Sequence, residues 1–303
     1  MTGSTSRVST ENTITMFTGK GGVGKTTCAA ATALHYASSA GRTLAISTDA
    51  TPSLSHIFET TDGDKPAMVR ESLYIDELGE AEIKKMWDEK FGREVYEVFN
   101  SFVAIDYEPF VEFMTSVLPG LGDEFMLDYI RELSLRNQYR AIVWDTAPLG
   151  QTLALLQTPA LLEQHLRMAP RIYSRLRVGG KSRETVLNIL KRWERLSAEN
   201  FDFLREGVSF NLVTIPEALA VEQLEGVFQE LGRYGLRIKQ LIINNVIKVE
   251  ESAFLITKAR QQRQYLEHIY GQYSDLDIVE LPMFPYELKG VERLQEVERL
   301  LFP

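Results

Sequence analysis

Gly19-Lys20-Gly21-Gly22-Val23-Gly24-Lys25-Thr26-Thr27 is a glycine-rich run that ends in a lysine and two threonines. It fits G-x-x-x-x-G-K-[ST], the pattern of a phosphate-binding loop. The glycines let successive backbone N–H groups curl round an anion. Lys25 is placed to reach β- and γ-phosphates, and the Thr26 hydroxyl to hold Mg²⁺. What flanks the loop supports this reading. The run 13–17 before it is apolar and β-branched, and the Ala-rich run 29–35 after it reads as a helix. Strand, glycine loop and helix N-terminus together favour a bound anion.

Working outward, further short apolar runs read as buried parallel strands: 43–47, 72–76, 141–144, 209–214, 239–244 and 276–281. Their β-branched residues cluster between turn signals. Helical patterns over 218–231, 252–270 and 288–301 alternate with them. Such alternation predicts an α/β fold, a three-layer phosphate-loop NTPase with a mostly parallel central sheet. Ligands in such sheets sit at the carboxyl ends of the strands, where the loop lies. The expected organisation is one ATPase domain over 1–303. Two helical excursions, 80–139 and 153–207, form a helical subdomain, and 1–12 is a flexible tail. The excursions read either as helices packed beside the sheet or as a surface for a partner. The second is rich in arginine, with Arg167, Arg171, Arg175 and Arg177 among others.

Composition narrows the class. The chain has 303 residues, enough for a sizeable core, and a formal net charge of −9. That balance argues against nucleic acid as a partner, which needs a clustered basic surface. Cys28 is the only cysteine. It can form neither an intrachain disulfide nor a multi-cysteine metal site, and this points to a reducing compartment. The N-terminus lacks the apolar core of a signal peptide, and no run approaches the ~18 apolar residues of a membrane span. A cytoplasmic location is expected.

Two acids at strand ends extend the site. Asp49, after the second strand, is a candidate to orient the attacking water, or it caps the helix that follows. Asp145, after the fourth, is the expected second metal element, acting on Mg²⁺ through water. Gly150 behind it permits a loop to respond to γ-phosphate. Lys20 is surplus to an ordinary phosphate loop. It is either a solvent lysine or a group that reaches the nucleotide of a facing subunit, neutralising charge as an arginine finger does. The second reading makes a homodimer the active form.

The ordered set KGGVGKTT (20–27), STDATPSLSHIF (47–58), LPGLGDEF (118–125) and DTAPLGQTLALLQTP (145–159) resembles the ATPases that drive arsenical pumps and guide tail-anchored membrane proteins. The resemblance runs from Thr13 to Pro303. It implies an ATPase with ATP as substrate and Mg²⁺ as cofactor. It makes Lys20 the signature lysine acting across a dimer, with Lys25 and Asp49 as catalytic partners. Asp145, Thr146, Ala147, Pro148, Gly150 and Gln151 would form the second switch. Glu217 and Asn244 would contact the nucleotide, Asn244 at the adenine edge, and Pro282 and Phe284 would belong to a final adenine loop. The excursions would bind a hydrophobic client or a membrane-associated partner. Several positions depart from the family pattern. The first switch reads Asp49-Ala50-Thr51-Pro52 where DPAH is common, and Gln151 stands where His is common. The C-x-x-C pair of eukaryotic targeting members is replaced around Ser252-Ala253-Phe254-Leu255, so no zinc-bridged dimer is expected. A lone cysteine also cannot bind arsenite as a thiol cluster does.

Two other functions fit the loop. A partitioning or positioning ATPase would act on DNA or membrane, with Val291, Leu294, Val297 and Leu301 as an apolar stripe for lipid or for the sheet. A phosphate-transferring biosynthetic enzyme would need a substrate cluster that the sequence does not display. Electron-transferring relatives need cluster cysteines, which are absent.

Overall fold

The computed structural model describes residues 12–48, 53–60, 65–100, 105–117, 121–146, 183–249 and 251–303. Among the described residues eight strands form one sheet: β1 (Thr13–Gly19), β2 (Thr43–Ser47), β3 (Ala67–Arg70), β4 (Leu73–Glu77), β5 (Ala141–Asp145), β6 (Val208–Thr214), β7 (Ile238–Val246) and β8 (Asp277–Pro282). Their order is β3-β4-β2-β5-β1-β6-β7-β8. Every pairing is parallel except β3 with β4. The seven expected strands all form. The antiparallel edge strand β3 is an addition that four residues of Ala-Met-Val-Arg did not announce.

Helices cover both faces of the sheet. Among the described residues the α-helices are α1 (Lys25–Ser39), α2 (Leu54–Phe58), α3 (Glu80–Trp87), α4 (Arg93–Asn100), α5 (Tyr107–Val117), α6 (Leu121–Leu135), α7 (Arg183–Asp202), α8 (Ala218–Arg233), α9 (Ala253–Gln272) and α10 (Gly290–Leu301). Side-chain alternation along the strands sorts them. Phe17, Ala45, Val143 and Val213 face one core with α1, α2 and α10. Met16, Ile46, Trp144 and Leu212 face the other, with residues of α3, α5, α6, α8 and α9.

The α1 face is built from small residues. Ala29, Ala30, Ala31, Ala33 and Leu34 are fully buried, so the helix lies close on the sheet. Leu294, Val297 and Leu301 of α10 are buried in the same core. The apolar stripe that could have served a membrane is therefore spent on packing. Among the described residues no helix is long and apolar enough to cross a membrane.

Candidate functional site

The site begins where β1 runs into α1. Gly19 pairs with Val213 across the sheet, and a Cβ on it would stand 2.2 Å from the Val213 carbonyl oxygen. Only glycine permits that approach. Gly24 closes the loop in the left-handed region at φ 98°. A Cβ there would stand 2.3 Å from Asn244 Nδ2. Gly24 is also the N-cap residue of α1, where it has no side chain to cap the helix, and the first turn holds no acid. The first N–H groups of a helix have no intrahelical partner and carry the positive end of its dipole. An uncapped N-terminus behind a glycine loop is thus built for an anion. Lys25 is buried in the first turn, and its Nζ donates to the Lys20 carbonyl at 3.2 Å. The Lys20 side chain is partly exposed.

Register brings the second element in. Phe17 of β1 pairs with Asp145 at the end of β5. Asp145 is buried, and its Oδ2 accepts from Thr26 Oγ1 at 2.7 Å. Residues 119 positions apart in sequence thereby meet. Their oxygens are hard donors of the kind that Mg²⁺ takes, a hydroxyl beside a carboxylate. Thr146 is tied into the sheet, donating to the Phe17 carbonyl at 2.7 Å. On the other side of Asp145, the Thr48 amide donates to its carbonyl at 3.2 Å, and Trp144 Nε1 donates to Thr48 Oγ1 at 3.2 Å. Cys28, one turn into α1, is fully buried. Burial pushes its thiol up to about 12, with the Asp145 charge adding to the effect, so it packs as a neutral side chain.

Two residues that the sequence reading passed over complete this edge. Ser53 Oγ donates to Asp145 Oδ2 at 3.5 Å. Glu77, the last residue of β4, accepts from the Ser53 and Leu54 amides at 2.6 and 2.7 Å. Gln262 of α9 is a third omission. It donates to the Asn245 carbonyl at 3.0 Å and accepts from the Ile247 amide at 2.8 Å, locking the irregular end of β7. Asn245 sits there at φ 60°. Asn244 itself is buried and donates to the Val23 carbonyl at 2.8 Å, so β7 holds the glycine loop from outside.

A cleft of about 460 Å³ opens beside the loop. Thr26 and Thr27 line it from α1, Ser53, His56 and Ile57 from around α2, Asn244 and Asn245 from β7, and Phe284, Tyr286 and Lys289 from the segment after β8. The Phe284 and Tyr286 rings lie 5.8 Å apart, and the Arg293 guanidinium stacks 3.8 Å over Tyr286. Aromatic faces with side-chain amides suit a planar heterocycle. Pro282 ends β8 and is not among the lining residues. Glu217 is exposed at the N-terminus of α8 and does not line the cleft either. Gly21 and Gly22 are exposed on the loop, and Val23 is buried beneath it. Asp49, Ala147, Pro148, Gly150 and Gln151 lie outside the described residues.

Comparison with known proteins bears on the same stretch of chain. A family model described as anion-transporting ATPase matches residues 12–303. A protein of Aquifex aeolicus named "Putative arsenical pump-driving ATPase 2" is 29% identical over 293 residues, covering 94% of this chain and 97% of that protein. The ATPase GET3A of Arabidopsis thaliana is 32% identical over 294 residues, covering 91% and 80%. ATPase ASNA1 homolog 1 of Paramecium tetraurelia is 26% identical over 301 residues, covering 93% and 90%.

Proposed function

The chain belongs to the anion-transporting ATPase family, and from that premise we propose that it works as one half of a two-copy, Mg²⁺-dependent ATP switch. ATP hydrolysis is the activity of the family and of the named relatives. The observation that carries the reading of the site is the hydrogen bond from Thr26 to Asp145 at the mouth of an uncapped α1.

In this reading the loop N–H groups and Lys25 bind the phosphates. The Phe284 and Tyr286 side of the cleft takes the base. Thr26 and Asp145 would hold Mg²⁺, which neutralises charge on the phosphate oxygens when bound. Asp49 orients the attacking water. Asn244 acts on the nucleotide through the loop as well as from the cleft wall, since it fixes Val23. Lys20 is assigned to the nucleotide of the second copy. No cysteine other than Cys28 exists to bridge that pair through zinc. Helices of the two excursions are assigned to a hydrophobic client or a membrane-associated partner. With α10 consumed in the core and the net charge at −9, a DNA- or membrane-positioning role has less support.

Mixing subunits tests the two-copy site. Lys20→Ala and Asp49→Asn should each abolish turnover alone. An equimolar mixture forms one intact site in every mixed pair, so it should recover about a quarter of wild-type activity. A mixture no more active than the separate variants would remove Lys20 from the partner's site.

A further inference from the structure

Glu77 ends β4 at the nucleotide edge of the sheet, and the family reading leaves it unused. On β4, Leu73 and Ile75 are buried in the same core as Leu54, Ile57 and Phe58 of α2. The period of two puts Glu77 on that face as well. Its Oε1 receives both the Ser53 amide at 2.6 Å and the Leu54 amide at 2.7 Å. These are amides at the start of α2, a helix of only five residues. So short a helix has little stability of its own, and its leading N–H groups need acceptors.

Ser53 is the cap residue of α2, and serine in that position ordinarily turns its hydroxyl back onto the helix. Here it makes no such bond. Its Oγ faces Asp145 Oδ2 instead, at 3.5 Å, the same oxygen that Thr26 Oγ1 contacts at 2.7 Å. Glu77 serves the backbone from across the sheet, and the Ser53 hydroxyl is left for the metal-site aspartate. Glu77 is itself braced. Its carbonyl accepts from Lys65 Nζ at 2.8 Å, and the same ammonium bonds Glu82 of α3 at 2.5 Å. Glu82 in turn accepts from the Gly79 amide at 2.7 Å.

We propose that Glu77 is a positioning residue for ATP hydrolysis, holding Ser53 so that a second hydroxyl stands at Asp145 beside that of Thr26. The proposal rests on the assignment of Thr26 and Asp145 to Mg²⁺ above. Glu77 touches no reacting atom and acts through Ser53.

Three substitutions separate its reach from its charge. Gln keeps an acceptor oxygen at the same length, Asp keeps the charge and shortens the arm, and Ala removes both. Glu77→Ala and Glu77→Asp should lower kcat about tenfold with KM for ATP changed less than about threefold, and Glu77→Gln should recover most of that loss. A second readout is independent of turnover. By calorimetry, Mg²⁺ should strengthen ADP binding less in Glu77→Ala than in the wild type, with metal-free affinity similar in the two. Ser53→Ala should show the same change, and the double variant should be no worse than the single ones, because the two residues act as a unit. Glu77→Ala with kcat within twofold of wild type, or additive effects of Glu77→Ala and Ser53→Ala, would overturn the proposal. Lys25→Ala run alongside keeps the two readings apart. Loss of turnover there with none in Glu77→Ala sinks only this inference, and turnover surviving in Lys25→Ala sinks the site assignment beneath it.

Discussion

The two faces of the sheet are made of different material. Against α1 the core is mostly alanine and aliphatic, with Phe17 and Phe58 as its buried aromatics, and four alanines of the helix have no exposed surface. Against α3 to α6 it is aromatic and laced with charge. Phe91, Phe110, Phe125 and Tyr129 fill the space, and Asp76 and Asp128 are buried among them. The difference teaches where precision is stored. Small residues leave no slack, so β1, β5 and α1 hold Gly19, Lys25, Thr26 and Asp145 to one arrangement. Buried ion pairs, by contrast, contribute little net stability and are costly to leave half-made. The face that carries the phosphate loop is a fixed platform, and the face that carries the excursion is held by interactions that a change of charge can loosen.

The sharpest way to break this contrast is to add volume on the loop side. Gly24→Ala places a methyl 2.3 Å from Asn244 Nδ2 at φ 98°. We expect ATP turnover to fall about a hundredfold or more, because Asn244 must release Val23 and the loop must leave its conformation. Phosphate release under saturating ATP measures it, and a change under threefold would show that the platform has slack.

On the other face the largest effect comes from stranding a charge. Lys90 bonds the almost fully buried Asp128 and also Glu132, at 2.6 Å. Arg131 is the other partner of Asp128, at 3.2 Å. Lys90→Met leaves that carboxylate with Arg131 as its one ion-pair partner among the described residues and should lower unfolding stability by about 3 kcal/mol in a urea titration. It should leave turnover at low temperature nearly intact, since the helices lie beside the site and not in it.

Asp76 gives the smallest expected effect and the clearest pH signature. Burial pushes its carboxyl up to about 6, against the pull of the Lys65 ammonium and a hydrogen bond from the Glu77 backbone, with the Glu82 and Glu77 charges adding to the rise. Among the described residues its Oδ1 has no hydrogen-bond partner. The fold thus favours the neutral acid. That contribution is present below the ordinary carboxylate range and is lost as pH rises through about 6. Asp76→Asn, neutral throughout, should be more stable than wild type by about 2 kcal/mol at pH 7.5, with the gain shrinking toward pH 4. Thermal melts across that range would show it, and a pH-independent difference would contradict it.

The same contrast explains what could be read from the chain. The α1 face is local in sequence. A glycine loop between an apolar run and an alanine run states its own geometry, and the buried strands follow from their β-branched clusters. The residues missed belong to long-range contacts. Glu77 matters because register sets β4 two strands from β5, and because parity turns it toward α2. Nothing in Leu-Tyr-Ile-Asp-Glu announces either. Gln262 acts only because α9 folds back over the end of β7. Strand β3 escaped notice because four residues beside Pro66 carry no period, and its antiparallel pairing is decided by β4. Asn244 was expected at the nucleotide, and its bond to Val23 could be learned only from the approach of β7 to the loop. Asp49 and the stretch after Thr146 lie outside the described residues, and their roles rest on sequence alone.

The central claim is that this chain hydrolyses ATP at the Gly19–Thr27 loop. Steady-state phosphate release by the purified protein, with and without Mg²⁺, set against Lys25→Ala, tests it most directly. Turnover should depend on Mg²⁺ in the wild type and fall about a hundredfold or more in the variant. Equal turnover in the two proteins would contradict it.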